Sequence, residues 1–263
     1  MTIIYALANQ KGGVGKTTTA INLGACLARA GQHVLVIDVD PQGNATSSLG
    51  VDKHAVPLST YDLLVRETPV AQVVQSTNHR RLDLIPAAPA LAGATVELVN
   101  LPQREYRLQQ ALAGLEQAQD SAYDYVLIDC PPSLGLLTVN GLTAGGDGVI
   151  IPVQCEYLAL EGLSQLARAI ELVRRALNPD LRLRGLVMTM YDVRTTLSKQ
   201  VVEEVRQHFP GQVFKAIIPR SVRLSEAPSY GEPIISYAPQ SAGALAYAAL
   251  AQELLIGDGI VGS

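Results

Sequence analysis

The residues with the clearest chemical meaning lie in the first twenty positions. Gln10-Lys11-Gly12-Gly13-Val14-Gly15-Lys16-Thr17-Thr18 follows an apolar segment, Ile3–Ala8, and runs into a stretch with helical patterning, Thr17–Ala30. A strand, a glycine-rich loop and a helix in that order form the setting of a phosphate-binding loop. Glycines let the backbone curl so that successive N–H groups face phosphate oxygens, and the helix adds the positive end of its dipole. On this reading Gly12, Gly13, Val14, Gly15 and Thr18 contribute backbone, Lys16 reaches the β- and γ-phosphates, and the Thr17 hydroxyl ligates Mg2+. The expected ligands are ATP and Mg2+. The loop departs from the strict pattern, which has glycine where Gln10 stands, and it carries an additional lysine, Lys11. A second cation is surplus to one triphosphate and makes sense if it serves the nucleotide of another subunit. The alternative is a solvated loop lysine.

Two apolar segments end in carboxylates. Val34–Ile37 leads into Asp38-Val39-Asp40-Pro41-Gln42-Gly43-Asn44, and Tyr125–Ile128 leads into Asp129-Cys130-Pro131-Pro132. In an open parallel sheet the carboxyl ends of the strands border the ligand crevice. Asp129 is therefore expected beside the metal, in the manner of a Walker B acid. Asp40, where the chain leaves the sheet, is the better candidate to orient water or bind the metal's water shell. Asp38 lies nearer the core, as a structural, hydrogen-bonded acid would.

The elements that must position these groups follow from hydrophobic patterning. Apolar, β-branched runs recur at Ile3–Ala8, Val34–Ile37, Leu82–Ile85, Tyr125–Ile128, Val149–Val153, Leu186–Met190 and Val213–Ile218. None alternates strictly, so each is expected to be a strand buried on both faces. Helical stretches at Thr17–Ala30, Glu105–Ala118, Leu160–Leu177, Ser198–His208 and Ala242–Leu255 lie between or after them, and Pro86–Ala94 reads as a loop or a short helix start. The alternation predicts an α/β fold with a doubly wound, mostly parallel sheet and helices on both faces. No linker or repeat divides it, so residues 1–263 are expected to form a single P-loop ATPase domain.

Cys26, Cys130 and Cys155 show no metal-ligand or redox spacing, which predicts reduced thiols and a cytoplasmic setting. The four histidines are scattered. The net charge of −4 hides an asymmetry. Gln165 to Arg223 holds 11 basic and 5 acidic residues, and the remainder holds nine basic and 19 acidic. Screening makes the local balance the one that acts on partners.

Taken together, the KGGVGKTT, DVDPQGN and DCPPSLG segments resemble the ParA/MinD group of deviant Walker ATPases. Further segments, Pro152–Tyr157, Thr189–Thr195 and Ile218–Pro228, resemble the short chromosomal ParA proteins of the Soj type over essentially the whole chain. The resemblance implies an ATP-sandwich homodimer. Lys11 then crosses to the partner's phosphates, Gly12 lets the subunits approach, Asp40 activates water, and Asp129 is the Walker B acid. Pro219 and Arg220 pack near the adenine, although Ser221 stands where the family carries asparagine. Arg194 and Arg223 match positions that contact DNA, with Lys199 and Arg220 as neighbours. A ParB-type centromere-binding protein is the implied partner, and a nucleoid-associated location follows.

Relatives in the wider group hold membrane or an iron–sulfur cluster instead of DNA. The last forty residues contain no lysine or arginine, which argues against a basic amphipathic membrane helix. Cys130 has no evident partner for a cluster. No helix-turn-helix precedes the phosphate loop in this sequence, so non-specific contact with the phosphates of double-stranded DNA is the expectation. The alternative is a MinD-like spatial regulator acting at a membrane or on a protein target.

Overall fold

The computed structural model describes residues 2–115, 123–157 and 159–260. Eight strands build one sheet: β1 Ile3–Leu7, β2 Val34–Asp38, β3 Gln75–Ser76, β4 Leu82–Ile85, β5 Tyr125–Asp129, β6 Gly148–Gln154, β7 Leu183–Tyr191 and β8 Val213–Pro219. They lie in the order β3-β4-β2-β5-β1-β6-β7-β8. Every neighbouring pair is parallel except the antiparallel pair of β3 and β4. The chain winds from β1 toward β4 on one side and from β6 to β8 on the other. A crevice therefore opens at the carboxyl ends of the central strands, where such sheets hold their ligands.

Strand residues point alternately to two apolar layers. Tyr5, Leu7, Val34, Val36, Tyr125 and Leu127 face the helices Lys16–Arg29 and Ala242–Gly257. Ala6, Leu35, Ile37, Val126 and Ile128 face the opposite layer, which includes Thr60–Arg66, Leu91–Glu97, Leu136–Ala144, Ala159–Ala176 and Thr196–His208. Burial on both faces is why β2 and β5 are apolar at every position before their terminal acids.

The structure departs from the patterning in identifiable places. Val213–Ile218 is not buried throughout, because β8 is an edge strand whose buried residues are Phe214 and Ile218. The helix expected over Glu105–Ala118 is regular only over Arg107–Leu112, and its last three residues lie outside the described ones. Thr60–Arg66 is a helix too short for periodicity to reveal, opened by a capping box of Ser59 and Asp62. Leu136–Ala144 shows no polar face since seven of its nine residues are buried. Within Pro86–Ala94 the helix begins at Leu91.

A charged cluster fastens the last helix to the amino ends of the central strands. Asp258 accepts hydrogen bonds from Tyr5 Oη at 2.7 Å and Tyr125 Oη at 2.9 Å, and it pairs with Arg184 at 2.9 Å. Burial, followed by the Asp258 carboxylate, raises both phenols above their ordinary range. The Arg184 guanidinium lies over the rings of Tyr5 and Phe214. Removing the carboxylate would leave a half-buried cation and two phenols without their acceptor. Asp258→Ala is expected to cost about 3 kcal/mol and to lower the urea midpoint with the m-value unchanged. A midpoint equal to that of the parent would show that the cluster does not anchor the helix.

Candidate nucleotide and metal site

The loop after β1 is held in place before any ligand arrives. Asn9 Nδ2 donates to the Pro152 carbonyl at 2.8 Å, and Asn9 Oδ1 accepts from the Lys11 N–H at 3.1 Å. From the other side, Thr189 Oγ1 at the end of β7 donates to the Val14 carbonyl at 2.8 Å. Gly13 and Gly15 have φ of 74° and 91°, a left-handed conformation that disfavours side chains. Gly15 caps the helix Lys16–Arg29, whose first residue is the lysine. Lys16 is only 6% exposed, and its Nζ donates to the Lys11 carbonyl at 3.3 Å. Burial lowers its pKa from the ordinary lysine value, against the opposing pull of Asp129, Cys130 and Asp40. Gly13, Val14, Gly15, Lys16 and Thr17 thus form one curled segment at the mouth of the crevice, with Thr18 on the wall of an adjoining cavity.

The acids meet this loop from the neighbouring strands. Thr17 Oγ1 donates to Asp129 Oδ2 at 2.6 Å. Asp129 Oδ1 is buried with no hydrogen-bond partner. In register on β2 lies Asp38, which accepts from the Thr46 N–H at 2.9 Å, Thr46 Oγ1 at 2.7 Å and the Asp40 N–H at 3.1 Å. Burial pushes the Asp38 carboxyl up to about 6 even against those donors. Asp129 is raised as well, first by burial and then by the charge of Asp38. Asp38 is thus committed to the Thr46 turn, and Asp40, 6% exposed, accepts the Gln42 N–H at 3.0 Å.

These features fit Mg2+ and a triphosphate. The unpartnered Asp129 oxygen beside the Thr17 hydroxyl is suited to a hard cation or its water shell. The left-handed glycines leave the loop's concave side to backbone N–H groups.

Lys11 and Gly12 are placed differently from the rest of the loop. The Lys11 ammonium is 46% exposed and pairs with Glu156 at 2.8 Å, on the segment after β6. A Cβ at Gly12 would meet only Pro132 Cβ at 3.9 Å, an ordinary contact. Nothing within the chain demands glycine there.

Pro219 and Arg220 line a cavity of about 270 Å3 with Gly15, Thr18, Ser221 and Tyr247. The Arg220 N–H donates to the Tyr191 carbonyl at 2.9 Å, which joins the turn after β8 to the end of β7. Sequence reasoning assigned no role to Thr189, Met190 or Tyr247, which share this wall. Met190 is one of few non-glycine residues at positive φ, 52°, a feature invisible in residue type. Asn9 and Glu156 were missed likewise, because each acts through a neighbour distant in the chain, and Thr46 because its role depends on how the turn after β2 folds back on Asp38.

The candidate DNA-contacting residues follow the carboxyl ends of β7 and β8. Arg194 is 82% exposed and pairs with Asp192 at 2.7 Å; Arg223 is 61% exposed and pairs with Glu226 at 2.9 Å. Arg194 holds Asp192 below the usual carboxylate range, with a further contribution from the Arg220 charge. Lys199 lines a groove with Tyr191 and Arg206. The basic stretch read from the sequence does not form one patch. Arg174 and Arg175 pair with Glu171, and Arg184 pairs with Asp258 at the far end of the sheet.

A family model described as an AAA domain matches residues 1–183. The chain is 56% identical over 251 residues to the sporulation initiation inhibitor protein Soj of Bacillus subtilis (strain 168), covering 95% of this chain and 97% of that protein. It is 53% identical to the chromosome partitioning protein ParA of Myxococcus xanthus (strain DK1622), covering 97% and 88%. Among solved structures it resembles a cobyrinic acid a,c-diamide synthase from Mycobacterium smegmatis with bound ADP and magnesium, at a TM-score of 0.85 and 41% identity over 98% and 96% of the two chains. It also resembles the septum site-determining protein MinD from Pyrococcus horikoshii complexed with Mg-ADP, at 0.80 and 26% over 99% and 98%. Among the described residues no helix is long and apolar enough to cross a membrane.

Lys16→Ala removes the one buried ammonium in the loop while relieving a desolvated charge. Folding should persist, and calorimetric ATP affinity should fall by about 100-fold, the scale of a charge-assisted contact. Affinity within a few-fold of the parent would sink the assignment of Lys16 to the phosphates.

Proposed function

Because this chain belongs to the ParA/Soj family of chromosome-partitioning ATPases, we propose that ATP assembles it into a homodimer that grips DNA without sequence preference and lets go on hydrolysis. It is an ATPase that works with ATP and Mg2+. Lys16 and the backbone from Gly12 to Thr18 hold the triphosphate, with Pro219 and Arg220 beside the base. Thr17 and Asp129 hold Mg2+, and Asp40 contributes to its water shell. Bound there, Mg2+ offsets charge on the β- and γ-phosphates. Asp40 orients the attacking water, since Asp38 is occupied by the Thr46 turn.

Lys11 is the observation that carries the dimer reading. It belongs to the phosphate loop, yet its ammonium faces out to Glu156, free to exchange that exposed pair for phosphates of a second subunit. The unforced glycine at position 12 supports the same reading.

On the DNA side, Arg194, Lys199, Arg220 and Arg223 offer cations beyond the ends of β7 and β8. Arg220 also lines the base-side cavity, so nucleotide and DNA share a structural element. Two subunits double the contacts, which makes DNA affinity steeply dependent on dimerisation. A ParB-type protein would then stimulate hydrolysis, with the protein cytoplasmic and nucleoid-associated.

A small-molecule amidation, suggested by the name of the mycobacterial relative, finds less support. Releasing ammonia from glutamine calls for an accessible nucleophile. Cys26, Cys130 and Cys155 are all buried, and burial pushes the thiols of Cys26 and Cys155 up to about 12. A membrane role of the MinD kind also finds less support, since the helix Ala242–Gly257 carries no lysine or arginine.

Lys11→Ala should keep ATP affinity within a few-fold but lose the ATP-dependent dimer in light scattering. A variant that still dimerises would show that Lys11 has no role across the interface. Asp40→Ala should bind ATP and dimerise while turning over slowly, and rapid turnover would move the water-orienting role elsewhere. In that slow background, ATP-dependent retention on duplex DNA should exceed retention on anionic liposomes. Adding Arg194→Ala or Arg223→Ala should weaken two unrelated duplexes alike and reduce the log–log salt slope by roughly 1 for each phosphate no longer neutralised. Unchanged binding to both duplexes would place these arginines outside the DNA interface.

A further inference from the structure

A second cavity, about 540 Å3, opens at the opposite edge of the sheet, where the turn before β2 meets the turn before β4. Its wall includes Arg29, Asn78, His79, Arg80, Arg81 and Ser236, and it contains no carboxylate. In a chain of net charge −4, three arginines in one wall concentrate positive charge, and the acid that acts on His79 there, Glu232, lies outside the wall. The arginine ion pairs among the described residues involve other positions.

The cavity is built rather than incidental. Arg81 has φ of 63°, a conformation rare outside glycine, and its guanidinium donates to the Gly31 carbonyl at 2.9 Å, tying the two turns together. Thr77 Oγ1 donates to the Leu82 carbonyl at 2.5 Å and accepts from the His79 N–H at 3.1 Å, which closes the turn. Inside this frame His79 Nε2 is buried, so the wall meets a ligand through Arg29 and Arg80, both exposed and outside those ion pairs.

We infer that this cavity is a binding site for a phosphate-class anion, held by Arg29 and Arg80, shaped by the fixed Arg81 and bordered by the His79 ring. Guanidinium forks match phosphate oxygens in both charge and donor geometry. Two sources share that chemistry: a small phosphorylated ligand and a backbone phosphate of duplex DNA. The second source rests on the DNA reading above. It is suggested by continuity, since Ser236 in the wall precedes Tyr237, whose hydroxyl bonds Glu226, the partner of Arg223.

His79 is its own reporter. Burial holds the imidazole below its ordinary pKa, with Glu232 and the Gly231 carbonyl opposing. An anion beside it stabilises the imidazolium and moves the pKa up. The experiment follows the His79 ring resonance, assigned with His79→Gln, through a pH titration of protein saturated with Mg-ADP so that the phosphate loop is filled. Inorganic pyrophosphate is the first probe. A non-specific duplex, added to protein loaded with ATP in the Asp40→Ala background, is the second. Pyrophosphate is expected to raise the His79 pKa by about one unit, and Arg29→Ala with Arg80→Ala to abolish the rise. If the duplex also moves His79, or alone does so, the site contacts DNA. If the duplex is retained yet leaves His79 unmoved while pyrophosphate shifts it, the ligand is a small phosphorylated molecule. Retention is measured separately, so failure of the DNA reading is distinguishable from failure of the site. A His79 resonance unmoved by either probe overturns the inference.

Discussion

Two carboxylates buried side by side, Asp38 and Asp129, govern the architecture of this molecule. Parallel pairing of β2 with β5 puts them in register at the carboxyl edge of the sheet, where both are fully buried. Burial raises both carboxyls, and like charge adds to it, Asp38 acting on Asp129 and Asp40 on Asp38. Asp38 is offset by three donors from the turn after β2. Asp129 has the Thr17 hydroxyl and the charge of Lys16, but keeps one oxygen unpaired. The loop, the helix behind it and the strand order therefore converge on a position where Lys16 is the nearby cation and one carboxylate oxygen stays unpaired. In the proposed function that oxygen is the one a divalent cation or its water shell would meet.

The cations assigned to partners are arranged on the opposite principle. Lys11, Arg194 and Arg223 each face a carboxylate of the same chain: Glu156, Asp192 and Glu226. All three pairs are exposed, and exposed pairs contribute little to stability. They keep the cations ordered without committing them. Exchange for a phosphate is then inexpensive, whether that phosphate sits on a second subunit's nucleotide or on DNA. The buried Arg184–Asp258 pair, with its two tyrosines, belongs to the other class and holds the last helix down.

Seen from the chain alone, residues 165–223 carry a local excess of positive charge. The fold distributes it. Arg174 and Arg175 lie on a helix over one side of the sheet, Arg184 is half-buried at the amino ends of the strands, and after β7 and β8 Arg194 and Arg220 both act on Asp192. Arg29 lies outside that stretch and about fifty residues from Arg80 and Arg81, yet the three share a cavity. Screening makes spatial neighbours the relevant ones, and sequence distance is a poor proxy for them across a doubly wound sheet.

Residue type and local spacing were enough for features whose physics is local. Seven apolar strands, the phosphate loop, its following helix and the terminal acids of β2 and β5 were all legible because glycines, β-branched runs and strand-end carboxylates act within a few residues of themselves. The short antiparallel β3, the nine-residue apolar helix Leu136–Ala144 and the edge exposure of β8 were not, because each is defined by what packs against it. The same division runs through the site. The sequence by itself placed a lysine, a threonine and acids at one end of the sheet, where the structure brings them together. Only the tertiary structure decided that Thr46 would occupy Asp38, that Thr189 would hold the loop, and that Glu156 would face Lys11. The contacts of Thr189 and Glu156 depend on strands brought together from distant parts of the chain, and that of Thr46 on how the turn after β2 folds back on Asp38; hydrogen bonds and Coulomb attraction act over ångströms of space, whatever the separation in sequence.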